Sequence, residues 1–81
     1  LELLNLSERR RLLDDAIRDL PDLYRRVVEL RHQSELSYRE ISEALGIPEK
    51  TVKSRLFSAR RRLAEALDVL KSRRAAGGRR A

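Results

Sequence analysis

Between Ser37 and Leu63 the chain reads SYREISEALGIPEKTVKSRLFSARRRL, and the side chains there that could do chemistry are cations and hydrogen-bond donors. Lys50, Lys53, Arg55, Arg60, Arg61 and Arg62 carry charge, Thr51, Ser54 and Ser58 carry hydroxyls, and Phe57 stands among them. Such a set suits the holding of a polyanion, not the breaking of bonds. No Ser/His/Asp arrangement, paired carboxylates, glycine-rich phosphate loop or metal-ligand cluster accompanies it. Cysteine is absent and His32 is the single histidine, so a disulfide framework and a thiolate metal site are excluded. His32 reads as a surface residue at a helix end. The chain is expected to be no enzyme and to need no metal or cofactor.

The elements that must position these residues belong to a small protein. At 81 residues the chain allows one domain with a modest core, which disfavours a deep water-excluding pocket. Residues 1–48 are net −2 and residues 49–81 net +8, which gives the overall +6. This asymmetry points to an acidic scaffold half and a half built for a polyanion. No apolar run approaches the roughly 20 residues that span a bilayer, and nothing resembles a signal peptide, so a soluble protein is expected. Because it begins at Leu1 and lacks methionine, the chain is expected to be a piece of a longer protein.

The spacing of apolar residues predicts an all-α fold of four helices. Leu12, Leu13, Ala16, Ile17 and Leu20 give a first helix over 7–19, capped by Ser7. A second runs from Pro21 to about His32, with Leu23, Tyr24, Val27, Val28 and Leu30 inward. Ser37 and Glu40 have the spacing of a capping box and open a third helix that ends at Gly46, its buried side being Ile41, Ala44 and Leu45. Gly46-Ile47-Pro48 is a tight turn, as in a helix-turn-helix. From Glu49 to about Lys71 an uninterrupted stripe of Val52, Leu56, Ala59, Leu63, Ala66, Leu67 and Leu70 predicts one long fourth helix. Residues 1–6 read as a linker remnant, 7–71 as the domain and 72–81 as a disordered basic tail.

Placed at about 100° per residue with Val52 inward, Leu56, Ala59 and Leu63 fall within roughly 40° of it. Lys50, Ser54, Phe57, Ser58 and Arg61 then point outward, with Lys53 and Arg60 on one flank and Thr51, Arg55 and Arg62 on the other. A DNA major groove asks for this layout, with central side chains on base edges and flanking cations on two phosphate walls. Phe57, an aromatic facing water, suits an apolar partner such as a thymine methyl group. Tyr38 and Arg39 open the third helix, whose N-terminus favours phosphate, although Tyr38 reads equally well as packing against the turn.

LPDLYRRVVELR, followed by LSYREISEALGIPEKTVKSRLFSARRRL, resembles the C-terminal promoter-binding domain (region 4) of bacterial sigma factors, above all the extracytoplasmic-function (ECF) group. Leu36-Ser37-Tyr38, Glu40-Ile41, Leu45-Gly46-Ile47 and the run from Thr51 to Leu56 carry the likeness in order and register. The resemblance implies a four-helix, bacterial, cytoplasmic domain that reads the −35 promoter element in transcription initiation, within RNA polymerase holoenzyme. It also implies two protein partners, the flap of the polymerase beta subunit and an anti-sigma factor. By position, Lys53, Ser54, Phe57 and Ser58 match base-reading places, which Lys50 joins from the helical projection. Tyr38, Arg39, Thr51, Arg55 and Arg60 match backbone places, which Arg61 joins likewise. Ser58 stands where many relatives have arginine, and Ser42 where such units usually carry alanine, a small-for-small change expected to be tolerated. Alternatives are a response-regulator output domain, which shares the Leu-Gly-Ile and Thr-Val-Lys stretch, or a module acting mainly by docking to the flap or an anti-sigma factor. For docking, Leu67, Val69 and Leu70 are the expected surface, with Leu1, Leu3, Leu4 and Leu6 beside them.

Overall fold

A computed structural model describes residues 5–80, with side chains through Val69. It contains, in order, α1 (Leu6–Arg18), α2 (Asp22–His32), α3 (Tyr38–Leu45) and α4 (Glu49–Arg80). The fold is all-helical among the described residues, as the periodicity predicts. α4 is the axis of the domain and packs against each of the other three helices.

Each helix starts for a local reason. α1 is capped by Asn5, whose Oδ1 accepts the Glu8 N–H at 2.8 Å. Ser7, the expected cap, lies inside the first turn, because an amide two residues earlier supplies the same acceptor. α2 and α4 both follow a proline that acts through its carbonyl. Pro21 O accepts from Tyr24 and Arg25, each at 2.9 Å, and Pro48 O accepts from Thr51 at 2.9 Å and Val52 at 3.1 Å. Pro21 is therefore the cap of α2 and not its first residue. At α3 the expected capping box is complete: Ser37 N–H donates to Glu40 Oε1 at 2.8 Å and Glu40 N–H to Ser37 Oγ at 3.1 Å. Gly46 ends α3 in the left-handed region at φ 66°, which a residue without Cβ adopts at little cost.

The core forms from Ala16, Ile17 and Leu20, Val27 and Val28, Ile41, and the α4 stripe Val52, Leu56, Ala59 and Leu63. Three expected core residues sit elsewhere. Leu23 is 47% exposed at the rim of a shallow cleft with Leu45 and Arg55, Leu13 is exposed at 39%, and Ala44 faces water. Short helices expose a narrower covered side than periodicity implies, since each has few neighbours to bury it. α4 continues to Arg80, past the Lys71 end set by the apolar stripe. That stripe reports burial, whereas helicity persists where no proline intervenes and Arg73 to Ala76 are good helix formers. Leu1, Leu3, Leu4 and Ala81 lie outside the described residues, as does the side chain of Leu70.

Candidate nucleic-acid interface

Burial of Val52, Leu56, Ala59 and Leu63 on one side of α4 fixes the rotation of the helix, and with it which side chains face water. Lys50, Lys53, Ser54, Phe57, Arg60 and Arg61 are exposed, Phe57 at 64%. Thr51 and Arg55 are half-buried on the flank, as projected. Ser58 departs from the outward group. It is half-buried and lines a cleft with Tyr24, Arg61, Arg62 and Glu65 on the side facing α2. At one helical turn from Arg55 and Arg62 it belongs to the edge of the surface, not its centre.

The α3 end of the surface is built around its cap. Arg39 is exposed, while Tyr38 is half-buried and packed against the core, which favours the packing reading of its ring. The guanidinium of Arg31 lies 5.1 Å from the centre of that ring and its Nη1 donates to the Leu36 carbonyl at 2.9 Å. Glu40 is held below its ordinary pKa, first by the Ser37 backbone N–H and second by the Ser37 side chain, with burial opposing weakly. Its carboxylate thus stays charged at the positive end of α3.

Three relationships escape sequence reading. Arg62, projected as a flank cation, stacks over the Tyr24 ring at 4.8 Å. Arg31 serves Leu36 and Tyr38 across a connection where Glu35 adopts a positive φ of 55°. Ser42 donates its hydroxyl to the Ile47 carbonyl, so the serine expected to be a neutral swap is engaged in the turn. The first two join residues on different helices, a placement that spacing within a helix cannot report.

The surface is a convex, cationic helix face with shallow clefts beside it. It can donate hydrogen bonds and neutralise charge over an extended partner. Among the described residues no group of three or more His, Cys, Asp or Glu is placed to hold a metal, and no helix is long and apolar enough to cross a membrane.

Comparison with known proteins agrees with this geometry. Residues 10–63 match the family described as "Sigma-70, region 4". The chain is 41% identical over 54 residues to the ECF RNA polymerase sigma-E factor of Haemophilus influenzae, covering 67% of this chain and 29% of that protein. It is 44% identical over 55 residues to the ECF RNA polymerase sigma factor SigW of Bacillus subtilis, covering 68% and 29%. With the RNA polymerase sigma-E factor of Streptomyces antibioticus the identity is 46% over 60 residues, covering 74% and 33%. The chain spans about a third of the length of the curated relatives it matches. Since the match takes in the capping box, the turn and the outward face of α4, the chain belongs to the sigma-70 region 4 family.

Proposed function

We propose that this chain binds the −35 element of promoter DNA as the reading module of an ECF sigma factor that directs RNA polymerase to initiate transcription. The observation that carries this is the division of α4 into a buried stripe and an outward face of Lys50, Lys53, Ser54 and Phe57. In this reading those four residues meet base edges in the major groove, with Ser58 at the margin. Thr51, Arg55, Arg60 and Arg61 then meet phosphates, joined by Arg39 at the start of α3, where the Tyr38 ring packs against the core. The action is binding without catalysis, in the bacterial cytoplasm. The family match favours this over a response-regulator output domain.

A second reading, docking to the polymerase flap or an anti-sigma factor, has support of its own. Val69 is 52% exposed beside a shallow groove lined by Ala16, Leu20, Pro21 and Ala66, although Leu67 is half-buried. Selection from randomised duplex DNA by RNA polymerase carrying the full-length parent separates the two. Enrichment of one fixed motif upstream of the start site, bound in turn by the 81-residue chain, supports promoter reading. An unenriched pool leaves docking as the better account.

A further inference from the structure

The turn Gly46-Ile47-Pro48 carries the whole change of direction between α3 and α4, and one residue inside α3 grips it twice. The Ser42 carbonyl accepts the N–H of Gly46 and, at 3.2 Å, that of Ile47. The Ser42 hydroxyl donates to the Ile47 carbonyl in a partly buried bond. A serine within a helix usually turns its hydroxyl to water or to the carbonyl one turn back. Here it reaches forward, over five residues, to the last carbonyl before Pro48.

What is fixed at Ile47 passes directly into α4. Pro48 has a set φ and no N–H, and its carbonyl receives the first backbone bonds of the helix, from Thr51 and Val52. Lys50 stands on that first turn and Lys53 opens the next. We propose that Ser42 is a positioning residue for DNA recognition, its hydroxyl setting the angle at which α4 leaves the turn and so the approach of Lys50, Lys53 and Ser54 to base edges. The proposal rests on the reading of α4 as the helix that enters the groove. Ser42 itself does not reach the duplex, being half-buried with its hydroxyl committed to Ile47. Loss of the tether frees the turn to sample other angles. Directional bonds to bases suffer more from this than charge contacts to phosphates, because a recognition site tolerates misplacement of only about 0.5 Å.

The test compares binding of the 81-residue chain to the enriched duplex and to a scrambled one, by fluorescence anisotropy. Ser42→Ala is expected to reduce the preference for the enriched duplex roughly three- to tenfold, the range of one lost hydrogen bond. Binding to the scrambled duplex and its salt dependence stay as they were. The near-isosteric pair Ser42→Thr and Ser42→Val isolates the hydroxyl from packing: threonine keeps the preference and valine loses it. Circular dichroism at the assay temperature establishes that each variant is folded. Equal weakening on both duplexes, or equal behaviour of threonine and valine, overturns the proposal and leaves Ser42 a stabilising residue only. An unenriched pool overturns the promoter reading together with it, so the two failures separate at the first step.

Discussion

Arg31 and Tyr38 stand seven positions apart, yet the guanidinium of one lies 5.1 Å from the ring centre of the other. The same guanidinium donates to Leu36, whose N–H in turn reaches the Leu30 carbonyl at 3.0 Å. The Arg31 guanidinium and the Leu30 carbonyl therefore hold Leu36 from its two sides and close the connection between α2 and α3. Arg31→Ala is expected to destabilise the domain by about 1 to 3 kcal/mol, through a charge-assisted hydrogen bond and a ring contact. Urea unfolding followed by circular dichroism measures it, and Arg31→Lys should recover only part, since an ammonium lacks the planar fork.

Glu35 lies within that connection with φ at 55°, a conformation that side chains with Cβ adopt at a cost. Glu35→Gly should leave stability unchanged or raise it by up to about 1 kcal/mol, whereas Glu35→Val should lower it by more than that. Equal melting temperatures for the two variants would contradict a strained position here.

The capping box makes stability depend on pH. Glu40 has a folded-state pKa below its unfolded value, so its contribution is complete above the unfolded pKa and is lost as pH falls through the folded one. The melting-temperature advantage of the native chain over Glu40→Gln should therefore be present at neutral pH and shrink below about pH 4. Ser37→Ala, which removes the acceptor for the Glu40 N–H, should cost about 1 kcal/mol at neutral pH.

Neighbouring α4 residues should separate stability from recognition. Leu56→Ala empties a site that is 1% exposed and is expected to cost about 2 to 5 kcal/mol, enough to unfold much of so small a domain. Phe57→Ala should leave the melting temperature nearly unchanged while discrimination between enriched and scrambled duplexes falls by about 1 to 3 kcal/mol. Thermal melts and duplex titrations on the same samples read both effects.

Arg60→Ala should weaken binding to every duplex alike. Its removal should also lower the slope of log binding constant against log salt by about 0.9, the share of one phosphate. A slope that does not move would place Arg60 off the backbone.

Much of this was legible because helices announce themselves locally. Ser37 with Glu40, Gly46, Pro48 and the stripe from Val52 to Leu63 are signals whose causes lie within a turn of the residues concerned. Ser58 departs from the outward position that helical projection gives it, because the cleft beside Tyr24 half-covers it. Leu23 and Ala44 depart from periodicity for a related reason, since their exposure depends on where neighbouring helices stop. Arg62 over Tyr24 and Arg31 over Tyr38 depend on helix packing, about which spacing along one helix is silent.

The partition of α4 has a consequence for how such a domain changes over time. Lys50, Lys53, Ser54 and Phe57 are exposed and outside the core cluster, so their identities are free to vary without endangering the fold. Combinatorial libraries at these positions should yield mostly folded proteins with divergent DNA preferences. Under the proposed promoter reading, divergence by this route would leave the scaffold intact, so one inherited domain would be retargeted to new promoters by changing a handful of codons.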